Sequence, residues 1–215
     1  MKQPPSFSPS ETAVLVVDVQ NDFVDDKGRA SRDGGDMRPL QQAVGEINRL
    51  IAAAREAGAR VFYITVEHGS QVDNGPYQAR YARRGMTPDD TICHTGTWGA
   101  DLYTKLTPPA SGETRLVKHG YDAFEISELA EELRGRGVRS VVVTGVVTEL
   151  CVRATAMSAF EKGFFPIVPR ETTASDEPAV ADEALASIER WYGEITSVDE
   201  VLERWRSSVG PRTRS

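Results

Sequence analysis

Residues 140–163 read SVVVTGVVTELCVRATAMSAFEKG. The β-branched run from Ser140 to Thr144 shows no polar alternation, the pattern of a strand buried on both faces of a parallel sheet. Gly145 breaks the run, Val146-Val147-Thr148-Glu149 follow, and small residues then carry a helix to about Lys162. A buried strand thus feeds straight into a helix, with Cys151 in its first turn. A thiol there faces unpaired backbone N–H groups and the positive end of the helix dipole. Both favour the thiolate, the reactive form of cysteine.

Upstream, residues 12–19 (TAVLVVDV) form a second nearly unbroken apolar run, with Asp18 close to its end. A carboxylate there is costly unless paired or catalytic; the plainer reading is a turn residue on the way to Asn21-Asp22. After a polar loop at 20–38, Pro39 opens a helix to about Ala57. Leu40, Val44, Ile47 and Ile51 lie on its apolar face, and Gly58 caps it. Residues 60–66 (RVFYITV) and 114–118 (TRLVK) read as strands, the latter ending on Lys118. Between them, residues 67–111 lack regular periodicity. They hold Tyr77, Arg80, Tyr81, Arg83, Arg84 and the loop Cys93-His94-Thr95-Gly96-Thr97-Trp98-Gly99. Such an insertion serves as a lid or specificity loop, or as a solvated excursion or oligomer contact. The arginines are either a solvated face or a device that steers an acidic substrate.

Downstream come a helix capped by Ser127, a strand at 164–168, a helix at 178–192, a short strand at 194–196 and a helix from Ser197 to about Arg206. Strands alternating with helices predict one domain. It is α/β, with a doubly wound, mostly parallel sheet in a Rossmann-like three-layer α/β/α arrangement. That domain spans residues 11–206, between an N-terminal arm (1–10) and a tail (207–215).

Composition narrows the function. A formal charge of −7 over 215 residues argues against nucleic-acid or anionic-membrane partners. No apolar run approaches the roughly 20 residues that cross a bilayer. The opening MKQPPSFSPSE has no apolar segment, so it is not read as a secretory leader. Two cysteines make no disulfide framework, so reduced thiols and a cytoplasmic location are expected. His68, His94 and His119 match no metal-ligand spacing. Gly135-x-Gly137 precedes a strand rather than following one, and no phosphate-binding loop occurs. No metal and no cofactor are expected.

Ligands of open parallel sheets bind beyond the C-terminal strand ends. Asp18, Lys118 and Cys151 sit at or just past three such ends, so one crevice can gather them. The chemistry is coherent: a cysteine nucleophile needs a base, which Asp18 supplies, and a cation to hold both anions, which Lys118 supplies. The helix N-terminus adds donors for an oxyanion. Phe23, Trp98, His119 and Tyr121 are candidate pocket walls, with plain core packing as the alternative for the aromatics. Cys93 reads as a bystander.

Three segments resemble the isochorismatase-like cysteine hydrolases, the superfamily that includes nicotinamidases, N-carbamoylsarcosine amidohydrolase, and biuret and ureidoacrylate hydrolases. AVLVVDVQNDFV resembles its first strand, KHGYDAF its K-x-x-x-S-A-F segment, and GVVTELCVRATAMSAFEKGF its G-V-x-T-x-x-C-V-x-x-T-A-x-D-A-x-x-x-G segment. The resemblance covers about residues 10–205. It implies a catalytic Asp18, Lys118 and Cys151, a cis Val146–Val147 bond, and an oxyanion hole from the N–H groups of Val147 and Cys151. It also implies a homo-oligomer, a dimer or tetramer, acting on a small amide or ureide. Asp122 stands where the family has serine, Ser158 where it has aspartate, and Glu149 where many members have Asn or Asp. The Asp-x-His…His cluster of metal-binding nicotinamidases is reduced to Glu67 and His68, which argues against nicotinamidase proper. Isochorismate-cleaving members lack the cysteine, so its presence favours C–N over vinyl-ether cleavage. A ligand-binding protein of the same fold is the remaining alternative.

Overall fold

The computed structural model describes residues 7–87 and 90–208. In chain order the elements are β1 (Thr12–Val17), α1 (Asn21–Val24), α2 (Arg29–Arg32), α3 (Arg38–Ala57), β2 (Arg60–Val66) and α4 (Gly75–Arg83). Next are β3 (Thr114–Lys118), α5 (Ser127–Gly135), β4 (Ser140–Val146), α6 (Arg153–Glu161) and β5 (Phe165–Pro169). Then come β6 (Thr173–Ala174), α7 (Pro178–Trp191), β7 (Glu194–Thr196) and α8 (Val198–Ser208). The strands form one sheet in the order β3-β2-β1-β4-β5-β7, with β6 pairing beside the end of β4. Every pairing between them is parallel.

The continuous apolar strands are explained by two faces that are both covered. Val14 and Val16 point to a cluster with Leu50 and Ile51 of α3 and Val201 and Trp205 of α8. Ala13, Leu15 and Val17 point the other way, to Leu129 of α5, Ala156 of α6 and Leu185 of α7. Side chains buried this fully each contribute about 1.5–3 kcal/mol. β1 and β4 lie side by side at the centre, Thr12 opposite Ser140 and Val17 opposite Gly145. The chain winds outward in both directions from this pair, so the crevice beyond their C-terminal ends is the topological switch point. Close approach there requires Gly145: at φ 117° a Cβ would stand 1.9 Å from the Val17 carbonyl oxygen.

Several local expectations change. β1 stops at Val17 because Asp18 adopts a left-handed conformation (φ 56°), with its N–H donating to the Ile64 carbonyl at 2.8 Å. Residues Thr148–Val152 wind as a π-helical turn before α6 begins, so Cys151 lies in that wider turn instead of the first α-turn. The insertion contains α4, invisible to a periodicity argument because Tyr81 is its one buried residue. Ser127 does not cap α5; it is the first helical residue, and its hydroxyl donates to Glu128 instead. Gly58 does end α3 (φ 82°), and Ser197 Oγ accepts from Glu200 N–H at the start of α8. Of the arm and tail, residues 1–6 and 209–215 lie outside the described residues; Phe7 stacks on Trp205 and α8 runs on to Ser208. Among the described residues no helix is long and apolar enough to cross a membrane.

Candidate active site

Three strand ends converge at the switch point. Lys118, the last residue of β3, is buried, and its Nζ reaches Asp18 Oδ2 at 2.8 Å. The same ammonium donates to the Gly120 carbonyl at 2.6 Å and approaches Cys151 Sγ at 3.6 Å. The ammonium is therefore paired with a carboxylate and hydrogen-bonded to a carbonyl and a sulfur. Apart from the ion pair, the Asp18 carboxylate takes no hydrogen bond of normal geometry, which leaves lone pairs open on the thiol side.

The electrostatics differ from the expectation of a resting thiolate. Burial, and then the Asp18 carboxylate, push the Cys151 thiol well up, with Lys118 opposing them. Burial likewise raises Asp18 above the usual carboxylate range despite the neighbouring ammonium. Burial alone would depress Lys118, but Asp18 and Cys151 reverse that and hold it charged. The same shifts keep the Cys151 thiol neutral and Lys118 charged, while Asp18 is made a stronger base. The thiol of Cys151 thus has a carboxyl group of raised pKa close by, an arrangement suited to proton transfer between them.

The turn that carries Cys151 is built for close backbone approach. The Val146–Val147 peptide bond is cis. The Leu150 and Val152 N–H groups both donate to the Val147 carbonyl at 3.3 Å, and the Cys151 N–H between them lies outside that pair of bonds. Val147, Cys151, Phe23 and Tyr121 line one cavity of about 190 Å³. Trp98 and His119, expected as walls, lie off this lining. Trp98 is 44 % exposed and serves through its carbonyl, which accepts from Asn21. His119 is held by a hydrogen bond between Nδ1 and the Glu67 carbonyl. A larger cavity of about 760 Å³ opens between α7, β5 and β7, but Glu189 and Glu194 are its acidic residues and no cysteine or lysine lines it.

Some positioning residues carried no signal in the sequence. Gln20 is fully buried; its Nε2 donates to the carbonyls of Val66 and Ala100, and its Oε1 accepts from Val66 N–H, all at 2.8 Å. It ties the ends of β1 and β2 to the loop around Trp98. Asp22 accepts from the backbone N–H groups of Arg29 and Cys93. Cys93 is buried with its thiol donating to the Gly99 carbonyl at 3.7 Å, which fits a structural thiol. His68 pairs with Asp73 at 2.7 Å, and among the described residues no group of three or more His, Cys, Asp or Glu side chains is arranged to hold a metal ion.

A catalytic-type cysteine, a carboxylate and a lysine gathered at the switch point of a parallel α/β sheet define a class that comparison with known proteins identifies. The isochorismatase domain model matches residues 12–200. The ureidoacrylate amidohydrolase RutB of Stutzerimonas stutzeri (strain A1501) is 30% identical, over 96% of this chain and 87% of its own. Among solved structures, a cysteine hydrolase from Pseudomonas syringae pv. phaseolicola 1448A superposes with a TM-score of 0.82 at 26% identity, covering 97% of this chain and all of that one (100%). N-carbamoylsarcosine amidase from Thermoplasma acidophilum follows at 0.70 and 25%, covering 88% and 97% of the two chains. The chain belongs to the isochorismatase-like hydrolase superfamily.

Proposed function

We propose that this chain is a cysteine-dependent amidohydrolase that cleaves the C–N bond of a small amide or ureide through a thioester. Cys151 Sγ attacks the carbonyl carbon while its proton passes to Asp18. The N–H groups of Val147 and Cys151 hold the resulting oxyanion. Asp18 then hands the proton to the leaving nitrogen, the C–N bond breaks, and an amine or ammonia departs. Water, deprotonated by Asp18, attacks the thioester, and the sulfur leaves with that proton restored. Lys118 stays charged throughout and holds the carboxylate and the sulfur in place. Phe23 and Tyr121 are the apolar walls.

The observation that carries this reading is the meeting of three buried side chains, from just past β1, from the end of β3 and from the turn after β4, with Cys151 among them lining a cavity. Amidohydrolase relatives at about 30% identity over most of the chain support the same reaction. The substrate panel to test comprises primary amides, N-carbamoyl acids, biuret, ureidoacrylate and nicotinamide, with release of ammonia or amine as the readout. Cys151→Ala is expected to abolish turnover; full activity in that variant overturns the proposal. Vinyl-ether cleavage by Asp18 alone would survive thiol alkylation, and the proposed reaction would not.

A homo-oligomer, dimer or tetramer, belongs to the same proposal. The exposed apolar side chains Phe160, Phe165 and Trp191 support it, and light scattering tests it. A cytoplasmic location is supported by two buried free thiols, which suit a reducing compartment.

A further inference from the structure

Hydrolysis of a thioester needs a water placed beside it, and a water in a small cavity is held by about two to four polar partners. Asp18 supplies one in the proposed reaction. Much of the Cys151 cavity cannot supply another: Phe23, Val66 and Ile92 are apolar, and Arg29, Arg80 and Arg84 can donate but not accept. Asp33 is held by Arg29, whose Nε reaches both its oxygens at 2.8 and 2.9 Å. His68 lines the same cavity, two residues beyond the end of β2. β2 neighbours β1, with Ile64 opposite Val17, so His68 and Asp18 leave the sheet from adjacent strands, within electrostatic reach of each other.

Contacts fix the His68 ring and leave one of its nitrogens open. Nδ1 lies 2.7 Å from Asp73 Oδ1, and Asp73 Oδ2 accepts from the Gly69 N–H at 2.9 Å. The Asp73 side chain is fully buried and acts only as an acceptor there, so Nδ1 carries the ring proton. Tyr77 and Tyr81 of α4 pack against the ring, with centroids 5.3 and 6.3 Å away. The backbone is pinned as well: the His68 N–H donates to the Cys93 carbonyl at 3.1 Å, and its carbonyl accepts from the Thr95 N–H at 2.9 Å. Nε2 has no partner among the described residues, and it is not sealed in as Tyr81 Oη is. In the neutral ring that nitrogen is a lone-pair acceptor open to the cavity. A histidine serving only the core would have both nitrogens satisfied.

We propose that His68 Nε2 accepts a hydrogen bond from the hydrolytic water and aims it at the Cys151 thioester, with Asp73 fixing the tautomer. This rests on the hydrolase reading and adds to it the group that places the water. The water donates one O–H to Nε2 and gives its other proton to Asp18 as its oxygen bonds to the acyl carbon. The C–S bond then breaks, and the proton passes from Asp18 to the departing sulfur. Nε2 holds the hydrogen bond and keeps no proton. His68 acts after the amine has left, so it bears on kcat and not on kcat/KM, which reports the steps up to that departure.

The test takes the compound of the panel that wild-type protein hydrolyses fastest, with steady-state kinetics and rapid-quench mass spectrometry of the Cys151 peptide. Asp73→Asn keeps the shape of the pair. Its amide oxygen stays with the Gly69 N–H, which turns its NH2 towards Nδ1 and moves the ring proton to Nε2. His68→Phe/Asp73→Asn keeps a ring between the tyrosines and leaves no buried charge unpaired. In both variants kcat is expected to fall at least about 10-fold, kcat/KM to stay within about threefold, and acylated Cys151 to rise above the wild-type level. Hydroxylamine, a nucleophile that needs no such placement, is expected to release the acyl group and restore turnover. An unchanged kcat, or a kcat/KM that falls in step with kcat without acyl accumulation, overturns the inference. The hydrolase reading then stands without it if wild-type turnover is iodoacetamide-sensitive. If no compound of the panel is hydrolysed and Cys151 is never acylated, the hydrolase reading fails and takes this inference with it.

Discussion

Asp18→Asn separates the two things that Asp18 does to Cys151. In the proposed reaction it is the base that accepts the thiol proton; as a buried negative charge it opposes formation of the thiolate. Asp18 Oδ2 and Cys151 Sγ both contact Lys118 Nζ, at 2.8 and 3.6 Å. The two are therefore within about 6 Å of each other, where unit charges at an effective dielectric of about 20 interact by about 3 kcal/mol. Asparagine removes that repulsion and leaves the attraction of Lys118. The free-energy change corresponds to roughly 100-fold more thiolate, partly offset by lower intrinsic nucleophilicity, so alkylation should speed up by about 10-fold. Turnover should move the opposite way, falling about 10²–10⁴-fold with the loss of the base. The assays are iodoacetamide labelling of the Cys151 peptide at about pH 8, read by mass spectrometry, and ammonia release on the same preparation. Circular dichroism confirms that the near-isosteric variant is folded. Labelling that slows or stays the same, or turnover above about a tenth of wild type, refutes the reasoning.

A pH profile follows from the same group. Catalysis needs Asp18 ionised, and burial raises it above its ordinary value of 3.8, so kcat/KM should fall on acidification with a midpoint above that value. Cys151 and Lys118 are both pushed up, so no alkaline decline is expected below about pH 9; a decline near neutrality would contradict the assignment. Gly145→Ala should destabilise the fold by about 3 kcal/mol or more, seen as a lost or sharply lowered Tm, because the new Cβ meets the Val17 carbonyl at a positive φ. An unchanged Tm would contradict the packing of β1 on β4. Ser158 Oγ donates to Asp122 Oδ2 at 2.5 Å, so Asp122→Ser and Ser158→Asp should each lower Tm and the double exchange should recover most of the loss. Additive losses of about 1–2 kcal/mol each would show that the pair is not coupled.

The central strands were legible because both faces of β1 and β4 are covered, which forces an unbroken apolar spelling. The meeting of Asp18, Lys118 and Cys151 was legible for a related reason: a polar side chain at the end of such a strand needs a partner or a task. The two departures at Asp122 and Ser158 read as separate losses in the sequence. In the folded chain the two are joined by a single hydrogen bond, a relation between positions 36 residues apart that no local pattern displays. α4 was hidden because its inner face is tyrosine and arginine, not aliphatic. Gln20 looked like the first residue of a loop, although it carries three buried hydrogen bonds. The charge state of Cys151 was misjudged because a helix-dipole argument contains no desolvation. Only the packed site reveals that burial and Asp18 outweigh the favourable terms.

The account depends on a covalent bond from Cys151 to the acyl group of the substrate. Rapid quenching of the wild-type protein during turnover, followed by digestion and mass spectrometry, should find that acyl mass on the peptide containing Cys151 and on no other. Sustained turnover with an unmodified Cys151 at every time point would contradict it.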